Sequence, residues 1–130
     1  MTILQPPDWP QPIGYASGIS AQGTLVFVSG QIGWDAAGRF PSSDLAQQVE
    51  QALRNVVAVV AEAGGTPEDI VRLTWFVTDK AAYVHGRKAI GEAYRRVMGR
   101  HFPAMSVVAV TALVEDDARV EIEATAVISG

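Results

Sequence analysis

The residues best suited to chemistry fall in a few short stretches. Ser29, Gly30 and Gln31 follow a β-branched and aromatic run that starts at Thr24. A serine there is a nucleophile only with a base beside it, and no Gly-x-Ser-x-Gly elbow is present. The stretch therefore reads as a hydrogen-bonding floor, where the backbone amides of Gly30 and Gln31 can hold a carboxylate or an oxyanion. Glu121 and Glu123 lie two apart on an alternating segment near the C-terminus. Glu121 could orient a hydrolytic water; the plainer reading is a polar residue on the wetter face of a sheet. The two carboxylates could act as acid and base, but an interface ion pair of Glu123 with Arg72 or Arg119 is the stronger reading. Arg87 falls in a helical pattern, where a solvated surface residue is the plain reading and a cation beside a ligand the sharper one. His85 and His101 show no HxxxH or HxH spacing, and cysteine is absent, so no metal site is expected. Met105 and Trp34 suit the lining of an apolar pocket, although Met105 serves equally well as packing. Trp75 alternates with Val71 and Leu73 and reads as core.

These residues need elements to hold them. Residues 1–12 carry four prolines and read as an extended arm. Tyr15 to Ser20 is a weak strand candidate, and Thr24 to Ser29 a firm one that Gly30 ends. Ile32 to Phe40, with two glycines, reads as a loop. Ser42 or Ser43 can cap a helix whose apolar stripe is Leu45, Val49, Leu53, Val56 and Val60. Gly64-Gly65 stops it, and Thr66-Pro-Glu-Asp69 is a compact capping motif for one short turn. Ile70 to Thr78 alternates, with Val71, Leu73, Trp75 and Val77 on one side. Asp79 caps a second helix with a stripe of Tyr83, Ile90, Tyr94 and Val97. Strands follow at about 104–113 and 119–128, the latter placing Val120, Ile122, Ala124, Ala126 and Ile128 on one face. The order β-β-α-β-α-β-β predicts an α+β domain over residues 1–130, with two helices on one face of a mixed sheet of five to six strands. The other face, with Arg72, Thr74, Glu121, Glu123 and Thr125 among apolar residues that include Val107, is too apolar to be fully wet. A closed homo-oligomer would shelter it.

Composition excludes several classes. The chain has 130 residues, and 48% are hydrophobic, enough for one core without staples. Its net charge is −4 and its pI about 5.0, which opposes a nucleic-acid surface. No apolar stretch approaches a membrane span, and no signal-peptide pattern opens the chain. The absence of cysteine fits a reducing, cytoplasmic setting.

Three stretches carry a family resemblance: Val26-Phe-Val-Ser-Gly-Gln-Ile32, Phe102-Pro-Ala-Met-Ser-Val107 and Val120-Glu-Ile-Glu-Ala124. Phe76-Val-Thr-Asp79 and the fifteen-residue interval from Gly14 to Ser29 add to it. In this order and spacing they resemble the Rid family of reactive intermediate deaminases, also known as the YjgF or endoribonuclease L-PSP family. The resemblance implies a chorismate-mutase-like fold and a homotrimer with small-molecule clefts between subunits. It also implies hydrolysis of enamines or imines to 2-oxo acids and ammonia without metal or organic cofactor. In the best-known members an arginine in a Pro-Ala-Arg-Ser string grips the substrate carboxylate. Here that position is Met105, which has neither charge nor donor. The family tyrosine position holds Ala16, with Tyr15 beside it; the helix asparagine falls near Arg87; the position two after Met105 is Val107. Ser29, Gly30, Gln31 and Glu121 are retained. The resemblance thus implies catalysis through Glu121 and binding through Tyr15, Ser29, Gly30, Gln31, Arg87, Met105 and Val107. It leaves open a non-catalytic ligand-binding module. Ribonuclease action is opposed by the acidic balance and the lack of a His/Lys catalytic set.

Overall fold

A computed structural model describes residues 1–130. The chain runs β1 (Thr2–Leu4), β2 (Gly18–Ser20), β3 (Thr24–Ile32), α1 (Leu45–Glu62), a 3-10 turn (Pro67–Asp69), β4 (Ile70–Val77), α2 (Lys80–His85), α3 (Arg87–Met98), β5 (Ala104–Ala109) and β6 (Val120–Ile128). The main sheet has four strands in the order β3-β6-β4-β5, not five or six. Only β4 and β5 are parallel, so the sheet is mixed. The missing strands form a separate antiparallel ribbon, in which Thr2, Ile3 and Leu4 of the arm pair with Ser20, Ile19 and Gly18. The prolines begin only at Pro6, so they leave β1 free to pair. Beyond the ribbon, Ala16 bridges to Ala104 and its N–H donates to the Pro103 carbonyl, covering the start of the outer edge of β5.

The long helix forms as its pattern dictates. Leu45, Val49, Leu53, Val56 and Val60 are all buried, each contributing about 1.5–3 kcal/mol of apolar transfer. The cap is Asp44, which accepts from the Gln47 N–H at 3.0 Å, rather than Ser42 or Ser43. A carboxylate reaches the free amides and also meets the positive helix end. Ser42 lies two residues earlier and accepts from the Asp44 N–H. Gly64, at φ +83, takes the left-handed position after the C-cap. Thr66 and Asp69 form the capping box of the short turn.

The expected second helix is two helices. Asp79 caps the first by accepting from the Ala82 N–H. Gly86 ends it and begins the next, and a Cβ there would lie 2.8 Å from the Ala82 carbonyl oxygen. Ile90, Ala93, Tyr94 and Met98 are the buried residues of α3, whereas Tyr83 and Val97 are only half-buried. α1 packs against β3, β6 and α3, and the buried residues form one core between helices and sheet. Glu50 ties the helices at the surface, accepting from Arg54 at 2.8 Å and Arg96 at 2.7 Å. Those guanidinium groups hold its carboxyl below the usual carboxylate range.

Several boundaries shift for local reasons. A register shift between Ile70 and Arg72 in the pairing with β6 makes Ile70, not Val71, the first core residue of β4. β5 stops at Ala109 instead of near residue 113. β3 continues through Gly30 to Ile32, by means of an irregularity between Val28 and Gln31. No helix is long and apolar enough to cross a membrane.

Candidate functional site

The sheet sorts the candidate residues by register. Met105 pairs with Leu73 and Val107 with Trp75, so both face the helices, since directly opposed residues share a face. Val107 therefore does not belong to the polar back; Val108, opposite Phe76, does. Glu121 is also opposite Phe76 and shares that back face.

Tyr15, Arg87, Met105 and Val107 line one cavity of about 1130 Å³ between β5, the α2–α3 face and the segment after the arm. Tyr15 is placed there by the adjoining Ala16 bridge to β5. Arg87 is the first residue of α3 and makes no ion pair. The floor is aromatic. Trp75 meets Tyr83 edge-on with centroids 6.3 Å apart, and Tyr94 lies parallel to Phe102 at 5.3 Å. Tyr94 donates to the His101 carbonyl at 2.6 Å, and burial pushes its phenol up. Burial raises Tyr83 as well, opposed in part by the nearby Arg87 charge. Trp75 is 2% exposed, and its Nε1–H is buried without a partner, a state that costs about 1–3 kcal/mol.

Ser29, Gly30, Gln31 and Glu121 gather elsewhere, on β3 and β6. The irregular pairing leaves Ser29 and Gly30 outside the β3–β6 register, as bulges beside functional sites commonly do. The Gln31 side-chain amide donates to both the Ser29 carbonyl and the Ser29 Oγ, each at 3.2 Å. No imidazole or carboxylate bonds to that hydroxyl, which fits a binding role and not a nucleophilic one. Glu121 lies against Gly30: a Cβ at residue 30 would fall 2.6 Å from its Cδ. Two amides of α1, Asn55 half-buried and Gln48 buried, tie the helix to the end of β3 and to the approach to β6. Asn55 donates to the carbonyls of Ile32 and Trp34. Gln48 donates to Ser42 and Asp117 and accepts from the Arg119 N–H.

Within the protomer Arg119 turns to Asp79 at 3.9 Å and to the Ser43 carbonyl and makes no ion pair with Glu123. Arg72 and Glu123 share a shallow hollow on the back face without an ion pair within the protomer. Trp34 packs on Phe40, away from Met105. The His101 ring bonds the Ile70 carbonyl at 2.7 Å and is structural. His85 ends α2, exposed. No group of three or more His, Asp or Glu is arranged to hold a metal ion. Lys80 and Arg95 also line the cavity, as does Tyr83, which the sequence pattern marked only as part of an apolar stripe. The signal for them is a helical stripe through residues 80, 83, 87, 91 and 95 that sets three cations beside one aromatic.

Comparison with known proteins fits this arrangement. The Endoribonuclease L-PSP family model matches residues 9–128. The chain belongs to this family, the Rid family. A 2-iminobutanoate/2-iminopropanoate deaminase of Dermatophagoides farinae is 33% identical over 97% of this chain and 95% of its own. The enzyme of that name from Salmonella typhimurium is 37% identical over 91% of each. Among solved structures, the Rid protein YyfB of Yersinia pestis superposes with a TM-score of 0.84 at 29% identity, covering 98% of both chains. Escherichia coli TdcF with bound serine gives 0.71 at 35% identity, covering 99% of this chain and all of the other. The α+β architecture with a mixed sheet is thus that of Rid proteins. This Rid chain carries Met105 where the arginine of the Pro-Ala-Arg-Ser string is expected.

Proposed function

We propose that the protein hydrolyses an imine or enamine metabolite in a cleft shared by two subunits of a homotrimer. One observation carries this reading. The two halves of the site lie toward opposite edges of the sheet, on β5 and on β3–β6. Strands about 4.8 Å apart separate those edges by about 14 Å, too far for one small molecule to bridge within a protomer. A ring of copies brings the β3 edge of one subunit beside the β5 edge of the next. Tyr15, Arg87, Met105 and Val107 then hold the ligand from one side, while Ser29, the Gly30–Gln31 amides and Glu121 face it from the other. In that cleft Glu121 takes a proton from water as the water oxygen bonds to the C=N carbon, and passes that proton to the imine nitrogen. In the resulting carbinolamine Glu121 takes the hydroxyl proton and gives it to the nitrogen, the C–N bond breaks, ammonia leaves and a ketone remains. The reaction as proposed calls on no cofactor, and a cysteine-free chain suits the cytoplasm.

The test uses imines released from a panel of amino acids by an amino-acid oxidase and trapped with semicarbazide. Less semicarbazone should form with the protein present for some members, and Glu121→Gln should abolish the difference. Equal trapping across the whole panel rules out hydrolysis. The loss of the arginine at Met105 favours a second reading, a non-catalytic trimer that binds a metabolite. That reading predicts thermal stabilisation by ligands together with equal trapping.

A further inference from the structure

The cavity beside β5 gathers positive charge. Lys80, Arg87 and Arg95 line it, and no Asp or Glu does. None of the three is within ion-pair distance of a carboxylate, although the whole chain is net negative at −4. The Arg95 guanidinium lies over Gly91, where a Cβ would be 3.6 Å away. Like charges brought together without partners repel, and an anion between them relieves that repulsion. All three cations come from α2 and α3; the β5 wall offers Met105, Val107 and Ala109. Polarity therefore grades from a cationic helix side to an apolar floor.

That floor suits a flat body. Trp75 and Tyr94 are buried and pack on Tyr83 and Phe102 from beneath. The half-buried Tyr83 and Phe102 rings are therefore the aromatic surfaces left to a ligand. Such rings favour stacked or edge-on contacts. The Met105 sulphur adds a polarisable surface of the kind that packs on rings. Tyr94 has already committed its hydroxyl to His101. The Trp75 Nε1–H is buried beneath these rings and lies out of reach of a ligand. At about 1130 Å³ the cavity matches or exceeds the roughly 300–1,000 Å³ that encloses much larger ligands than a four-carbon acid.

We propose that this cavity selects an anion with a planar apolar body, an aromatic 2-oxo or 2-imino acid, its carboxylate held by Arg87 with Lys80 and Arg95 and its ring against Tyr83 and Phe102. The inference rests on the cavity being the ligand-bearing half of the proposed cleft. Methionine at position 105 removes a charge from the floor, and the helices supply it at the rim. The carboxylate thereby moves outward, and the space vacated accepts a ring.

Calorimetric titration of the full-length protein tests this without turnover. The probes are 3-phenylpropionate, its neutral analogue 3-phenylpropanamide, and 2-oxobutyrate. The acid should bind at least tenfold more tightly than either of the others. Arg87→Gln, and the double variant Arg87→Gln with Arg95→Gln, should weaken the acid progressively and leave the amide unchanged. Met105→Arg should reverse the order in favour of 2-oxobutyrate. Equal binding of acid and amide, or 2-oxobutyrate binding as tightly as 3-phenylpropionate in the unmodified protein, overturns the proposal. The wild-type comparison decides even where a variant fails to fold. Selective binding with no imine hydrolysed would sink the enzymatic reading and leave this one standing. Hydrolysis of small imines without selective binding would do the reverse.

Discussion

Gly30 lets the Glu121 carboxylate lie directly against the backbone of β3. Any side chain at position 30 meets that carboxylate, which is the far end of a flexible chain and can move aside. Gly30→Ala should therefore leave the fold nearly intact while displacing the group that orients water. We expect imine hydrolysis to fall by about the 10²-fold that loss of a positioned acid–base group costs, with thermal stability almost unchanged. A parallel collapse of stability would mean that Gly30 is structural only. Both Gly30 and Glu121 were legible as residues. Their contact was not, because it depends on the irregular register that carries β3 past Ser29.

At the level of elements, Gln48 is the point where α1, the loop before it and the start of β6 meet. Its amide is 1% exposed and makes three hydrogen bonds to backbone groups. Gln48→Leu keeps the volume but strands the Ser42 and Asp117 carbonyls and the Arg119 N–H. Destabilisation of about 2–4 kcal/mol is expected from such buried orphans, read as a lower urea midpoint at unchanged slope. A shift under a few tenths of that would show that water replaces the amide. The apolar stripe of the helix passes over position 48, so nothing in the sequence pattern singled it out. The sequence also suggested one helix where Gly86 makes two, since a single glycine within a good helical stripe is a weak signal.

For the whole molecule, the uncovered sheet face decides the behaviour in solution. Phe27 is 75% exposed, Leu25 59% and Val108 43%, on or beside a face that also holds Arg72 and Glu123. Exposed apolar groups gathered like this mark contact surfaces. Phe27→Glu should convert the proposed trimer to monomer in sedimentation velocity at micromolar protein, with the far-ultraviolet dichroism of the wild type. It should also abolish turnover, because each cleft needs residues from two copies. An active monomer would contradict the shared-cleft reading.

The helix stripe of α1, the alternation of β6 and the turn chemistry of residues 64–69 were fixed by local order, since each depends on near neighbours along the chain. The family was legible for the same reason: its marks are contiguous strings around Ser29, Met105 and Glu121. Tertiary structure alone decided strand order, and with it the placing of these strings toward opposite edges of one sheet. It alone also joined Lys80, Arg87 and Arg95 to the rings of Tyr83 and Phe102. Those relations link residues distant in sequence, and they are set by how helices and strands pack, which no local pattern encodes.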